Sequence, residues 1–221
     1  KANPGLGKTV SYEDYQQEVL RAENAPATRN DILAKRFGLP MEGYTYFFTY
    51  EETFLHPRQN FDHLPCAMGM DASQGDDFWA FTWIFPLGGE RYGIKTRAYI
   101  SEVKFAKLTP ALRNKYDELI QEGNLIVLRG TVLDWVEIYE DVNNYINQHD
   151  WAILTFGYDP YNAAPFMERW NTENGDFGSE VVRQGARTES VPLGELKNLA
   201  AARQLIFDEE LMTFAMGNCI T

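Results

Sequence analysis

The sequence predicts an α/β protein: a mixed sheet flanked by helices, with an N-terminal helical arm. Three observations carry that expectation. Between Cys66 and Ser101, apolar stretches are separated by short turns, as in antiparallel strands joined by hairpins. From Thr109 onward, helical periodicity alternates with short apolar runs, as in parallel strands joined by helical crossovers. Residues 10–38 carry helix caps and no strand pattern.

Each element has a local reason. Ser11 can cap a helix bearing Tyr15, Val19 and Leu20, and Asn30-Asp31 a shorter one through Ile32, Leu33 and Phe37 that stops at Gly38. Residues 39–63 are aromatic and irregular, a connector that packs on its surroundings, with Tyr44, Tyr46, Phe47, Phe48 and Tyr50 as packing residues. CAMGMD (66–71) is the first strand, ASQGD a turn, DFWAFTWIFPL the second strand, Gly88-Gly89 a hairpin turn and RYGIKTRAYIS the third. A helix is expected from Thr109 to Gln121 with Gly123 at its end, then the strand LIVL. The next helix runs from Asp134 to His149, with Trp135, Ile138, Tyr139, Val142 and Ile146 on one face. WAILTFGYD (151–159) reads as a buried parallel strand, followed by a helix starting at Ala163. Weaker signals place a strand near Val181-Val182, a helix from Pro192 to Arg203, a short strand LIF and a last helix from Asp208.

Composition excludes several classes. With 221 residues, 44% of them hydrophobic and 14% aromatic, the chain can bury a sizeable core. Twenty basic against 32 acidic residues give a net charge of -12, so binding a phosphate backbone calls for a local basic stripe or for divalent ions. Cys66 and Cys219 fit neither a disulfide framework nor a zinc spacing, which favours a reducing compartment. His56, His63 and His149 lack paired metal-ligand spacing, and His149 suits a helix C-terminus. No apolar run is long enough for a membrane span and no signal peptide is evident, so a soluble, non-secreted protein is expected. The chain starts at Lys1 with no methionine, which points to a piece of something longer.

GLGKT, residues 5–9, invites a phosphate-loop reading that the surroundings oppose. The loop needs a glycine five positions before Gly7, where Ala2 stands, and a buried strand before it, where only Lys1 and Ala2 precede Asn3-Pro4. No ATP site is expected in this chain.

Two aspartates stand out by position. Asp71 ends the first strand, and Asp159 ends a later apolar strand inside GYDPYNAAPF. Ligands of open α/β sheets sit at the carboxyl ends of strands, and two carboxylates arriving there can hold hard divalent cations. Taken singly, each reads first as a turn residue; the two together on adjacent strands point to a ligand site.

The order GMDASQGDDFWAF, a hairpin, then FGYDPYNAAPFMERW resembles the nuclease domain of the large terminase subunit of tailed bacteriophages, which has a ribonuclease H-like fold. ANPGLGKTVSYEDYQQEV resembles the segment that follows the ATPase domain in those proteins. The resemblance implies a linker and helical arm over 1–63, after an ATPase domain that lies upstream, and a nuclease domain over 64–221. It implies an endonuclease cutting double-stranded DNA concatemers during genome packaging with two divalent ions, Mg2+ or Mn2+. By motif, Asp71 binds both ions, Asp159 is the second ligand, and Asp77, or its neighbour Asp76, is a further one. The family's third carboxylate is expected beyond Thr221, with Asp208, Glu209 or Glu210 as substitutes at a helix start that favours acids in any case. The implied partners are double-stranded DNA, the terminase small subunit, the portal protein and the ATPase domain of the same polypeptide, with no membrane, in the host bacterial cytoplasm.

Of the basic residues, Lys104 and Lys107 (with Arg113 and Lys115) and Arg183 and Arg187 (with Arg203) can track a DNA backbone or simply solvate helix faces. Nothing resembles a base-reading helix, so cutting is expected to depend little on sequence. Two other readings stand beside the nuclease: a non-catalytic contact domain of the packaging motor, and a ribonuclease H-like resolvase or transposase.

Overall fold

The structure, a computed structural model, describes residues 46–72 and 78–220, together with residues 11–13, 16, 17, 19 and 20. Apart from Ser11, those N-terminal residues are helical, as the capping signal implies; the helix expected at Asn30-Asp31 and the position of Asp77 lie outside the described residues. The chain divides into two compact units, residues 1–54 with 213–221, and residues 55–212. In the first, Tyr46 bridges Ile220, the Phe47 amide donates to the Cys219 carbonyl at 2.9 Å, and a 3-10 turn spans Tyr50–Thr53. Phe48 is buried there, and Tyr50 remains 42% exposed.

The second unit contains the sheet. β1 (Pro65–Ala72), β2 (Trp79–Gly88) and β3 (Arg91–Ser101) form an antiparallel meander. Gly89 and Glu90 join β2 to β3 at φ values of 60° and 57°, the left-handed pair that a type I′ hairpin needs to match strand twist. β4 (Leu125–Leu128) pairs in parallel with β3, β5 (Ala152–Tyr158) with β1, β6 (Ser179–Val181) with β5, and β7 (Leu205–Ile206) with β3. The order is β4-β3-β2-β1-β5-β6, with β7 on the outer edge of β3. Every strand except β2 therefore points the same way. This mixed α/β sheet is of the ribonuclease H-like kind.

Beyond the helical residues near the N-terminus, six helices have described bounds: α1 (Glu102–Ala106), α2 (Pro110–Gln121), α3 (Trp135–His149), α4 (Ala164–Asn174), α5 (Ala186–Ala201) and α6 (Glu210–Gly217). Asp134 caps α3 by accepting from the Val136 amide at 2.8 Å, and Asp150 closes it in the left-handed conformation. The apolar stripe Ile138, Tyr139, Val142 and Ile146 is buried as its spacing requires. It packs with Phe166, Met167 and Trp170 of α4 against Met68, Met70, Phe81, Trp83 and Phe85 of the sheet. Each such side chain contributes about 1.5–3 kcal/mol on burial, so this layer dominates the stability of the unit. Arg97 of β3 locks α3 down through a bidentate pair with Asp141 at 2.6 and 3.0 Å, joined by the Tyr99 hydroxyl at 2.6 Å.

Three expectations are corrected. β5 is not buried throughout: Phe156 is, but Leu154 is 57% exposed, because the pairing with β1 skips Leu154 and this register shift breaks the alternation that would put it on the face of Phe156. The helix expected from Pro192 starts at Ala186 with the proline inside it. Its entry is set by Gly185, whose amide donates to the Glu189 carboxylate at 3.0 Å, a capping contact that outweighs the usual placing of proline in the first turn. α1, capped by Ser101, follows β3 where no helix was anticipated.

Candidate metal and nucleic-acid site

Asp71 is the next-to-last residue of β1, and Asp159 directly follows β5. The two strands pair in parallel, with Met70 level with Tyr158, so the next position on each is an aspartate. Adjacent strands lie about 4.8 Å apart, so the backbones of both residues leave the sheet side by side at its carboxyl end. Asp71 is exposed and Asp159 partly so. Asp159 Oδ1 accepts from the Tyr161 amide at 2.8 Å, the Asx turn that an aspartate before proline favours. Its turn role and its place beside Asp71 thus coexist. Asn162 follows at φ 59° and donates from Nδ2 to the Ala72 carbonyl at 3.3 Å, and Ala163 beyond it is fully buried.

Gly69, two residues before Asp71 and so on its side of the strand, faces empty space where a side chain would project. Two carboxylates, acceptor-only when ionised, match a hard divalent ion. Among the described residues, no group of three or more His, Cys, Asp or Glu side chains is gathered as a metal site.

The substitute acids lie elsewhere. Asp208 Oδ1 and Glu209 Oε1 contact Lys95 Nζ at 2.6 and 3.2 Å, and Asp208 Oδ2 accepts from the Gln59 amide. Glu209 Oε2 accepts from both the amide and the hydroxyl of Thr96. Thr96 sits on the outer edge of β3 in the gap between β4 and β7, where no strand meets its amide, so the carboxylate takes the place of a ladder partner. Glu210 pairs with Lys115 at 2.9 Å. β3 is two strands from β1, about 10 Å across the sheet, so these three acids do not substitute for a ligand beside Asp71. Burial pushes the Glu209 carboxyl up, against the pull of Lys95 and the Thr96 amide.

The basic residues sort by position. Lys104 and Lys107 lie in and just after α1, following β3; Arg183 and Arg187 follow β6. β3 and β6 each stand two strands from β1, on opposite sides, and both end at the edge where Asp71 and Asp159 sit. Lys107, Arg183 and Arg187 are exposed. Arg113 instead covers the Phe105 ring at 4.1 Å, and Lys115 bridges Glu118 and Glu210, which ties both into the fold.

The histidines are structural. His149 ends α3 as expected, pairing with Asp62 at 2.6 Å and stacking on Trp151, and His63 pairs with Asp150 at 2.9 Å. A cavity of about 700 Å3 is lined by Lys95, Tyr145, His149, Trp151, Asp208 and Glu209 among others, and includes neither Asp71 nor Asp159.

By its fold the chain is a mixed α/β domain of the ribonuclease H-like class, with two aspartates at adjacent strand ends and basic residues after the strands on either side. Within that class the family is shown: the model of the terminase large subunit endonuclease domain matches residues 1–221, and the chain belongs to that family. It is 24% identical over 223 aligned positions to the terminase large subunits of Lactococcus phages p2 and SK1, covering 98% of this chain and 41% of each relative. The chain thus spans about two fifths of the length of those curated relatives. The crystal structure of the HK97 bacteriophage large terminase shares the fold, with a TM-score of 0.66 and 17% identity, over 98% of this chain and 45% of the other. Among the described residues, no helix is long and apolar enough to cross a membrane.

Proposed function

We propose that this domain is the metal-dependent endonuclease of a phage packaging terminase, cutting double-stranded DNA concatemers with Asp71 and Asp159 as metal ligands. The observation that carries this reading is the parallel register of β1 and β5, which sets the two aspartates level at the carboxyl end of the sheet. Two divalent ions, Mg2+ or Mn2+, bound there would supply Lewis acidity at the phosphate and lower the pKa of a bound water. The side chains' part is to hold and orient. Asp71 is carried by a strand that stays paired with β2 at that position, and Asp159 holds Oδ1 in its turn, which leaves Oδ2 for a ligand. Asp77 is proposed as a further ligand, with the remaining carboxylate beyond Thr221. Lys104, Lys107, Arg183 and Arg187 are proposed to hold the DNA backbone on either side of the metal site, a local basic array within a chain of net charge -12. The proposed partners are the small subunit, the portal protein and the ATPase domain of the same polypeptide, in the cytoplasm of the host bacterium.

The test is cleavage of a supercoiled plasmid with Mn2+, Mg2+ or EDTA by the domain and by Asp71→Ala and Asp159→Ala. Cutting that needs metal and is lost in both variants is the expected result. One observation favours a second reading, a contact domain of the motor without catalysis: Asp208, Glu209 and Glu210 are all tied to Lys95, Thr96 or Lys115. That reading is upheld if the domain neither cuts nor takes up Mn2+ in calorimetry, even after the chain is extended past Thr221.

A further inference from the structure

We propose that Asn162 is a positioning residue that sets the separation of Asp71 and Asp159. The nuclease reading above supplies what the two carboxylates do; how they are held follows from geometry alone. The pairing of β1 with β5 runs to Met70 and Tyr158 and stops one residue short of both aspartates. On its other side β1 stays paired with β2 through Asp71 and Ala72, so Asp71 is fixed from that flank. The β5 flank has a different tie. The Asn162 amide donates to the carbonyl of Ala72 at 3.3 Å, which joins the two strand ends one residue beyond Asp71.

Three local features aim that amide. The Asx turn closed by Asp159 and the Tyr161 amide folds the chain back after β5. Asn162 then adopts φ 59°, a left-handed conformation that asparagine accepts more readily than most residues. Ala163, fully buried, pins the far end of the turn where α4 begins. The side chain that bridges the strands thus sits between a hydrogen-bonded turn and a buried anchor. Displacement of a reacting group by about 1 Å can cost a hundredfold in rate, so this tie bears directly on metal chemistry.

Asn162→Gly tests the assignment, because glycine keeps the left-handed backbone and removes only the amide. Asn162→Asp sets an acceptor against the Ala72 carbonyl and should behave at least as badly. Three measurements on the same chain are informative: thermal melting, plasmid cleavage with Mg2+ and with Mn2+, and exchange of the Tyr161 amide. Because Mg2+ demands near-ideal octahedral geometry, Asn162→Gly is expected to lose about tenfold in Mg2+-supported cutting and clearly less with Mn2+, at nearly unchanged melting temperature. Exchange of the Tyr161 amide should quicken several-fold. Equal losses with the two metals, or activity and exchange both unchanged, overturn the proposal. If the unaltered domain neither cuts nor binds metal, the nuclease reading fails, and amide exchange alone decides the positioning role: faster exchange upholds it and unchanged exchange overturns it.

Discussion

Two pairs of acids on one sheet have opposite fates. Asp208 and Glu209 are drawn into the protein, each side chain 7% exposed, by Lys95 and by the otherwise unmet amide of Thr96. Asp71 and Asp159 stand at strand ends, one exposed and one half-exposed. Burial beside a lysine makes an acid a brace. Placement at the carboxyl end of parallel strands is where ligands of open α/β sheets bind, and the proposed metal site lies there.

The sharpest way to break this comparison is to exchange the consequences. Asp71→Ala should abolish metal-dependent cutting and change unfolding free energy by less than about 0.5 kcal/mol in urea titrations, as expected for an exposed position. A large loss of stability would mean that Asp71 is a brace too. Lys95→Ala should do the reverse. Leaving two buried carboxylates without their cation should cost about 3–5 kcal/mol in the same titration, with metal affinity per folded molecule unchanged.

Smaller effects sharpen the picture. Removing Lys107, Arg183 or Arg187 singly should weaken DNA binding and lower the slope of log affinity against log salt by about 0.9 per charge, measured by fluorescence anisotropy. An unchanged slope for Arg183 and Arg187 would confine the DNA track to the β3 side. The smallest expected effect concerns pH. Burial pushes the Asp141 carboxyl up, but the hydrogen bonds from Arg97 and Tyr99 more than offset it and hold the group below its ordinary 3.8. A depressed folded-state pKa adds stability above the unfolded value and loses it as pH falls through the folded one. The domain should therefore lose stability as pH drops below 3.8, and Asp141→Asn should lack that part of the acid limb in pH-dependent melts.

Much of the sheet was legible because its signals are local. RYGIKTRAYIS and LIVL coincide with β3 and β4, and the stripe on α3 is buried as its spacing requires. Legibility failed where a contact distant in space or a capping bond set the outcome. The start of α5 depends on Glu189 reaching Gly185, and the exposure of Leu154 on the register shift between β5 and β1. Asp208 and Glu209 looked available because an acidic helix start is ambiguous in sequence; Lys95, far away along the chain, decides their use. Asn162 gave no signal beyond its place in a turn.

By itself the sequence determined the order and type of most elements, a tight hairpin within one residue of the Gly88-Gly89 pair that signals it, and the placing of two aspartates at strand ends, since periodicity, turn chemistry and caps act over a few residues. Only the tertiary structure decided that β1 and β5 are neighbours in a register that levels Asp71 with Asp159, while Asp208 and Glu209 are held two strands away. Strand adjacency and register come from packing the aromatic layer of the sheet beneath α3 and α4, a sum over contacts between residues far apart in the chain.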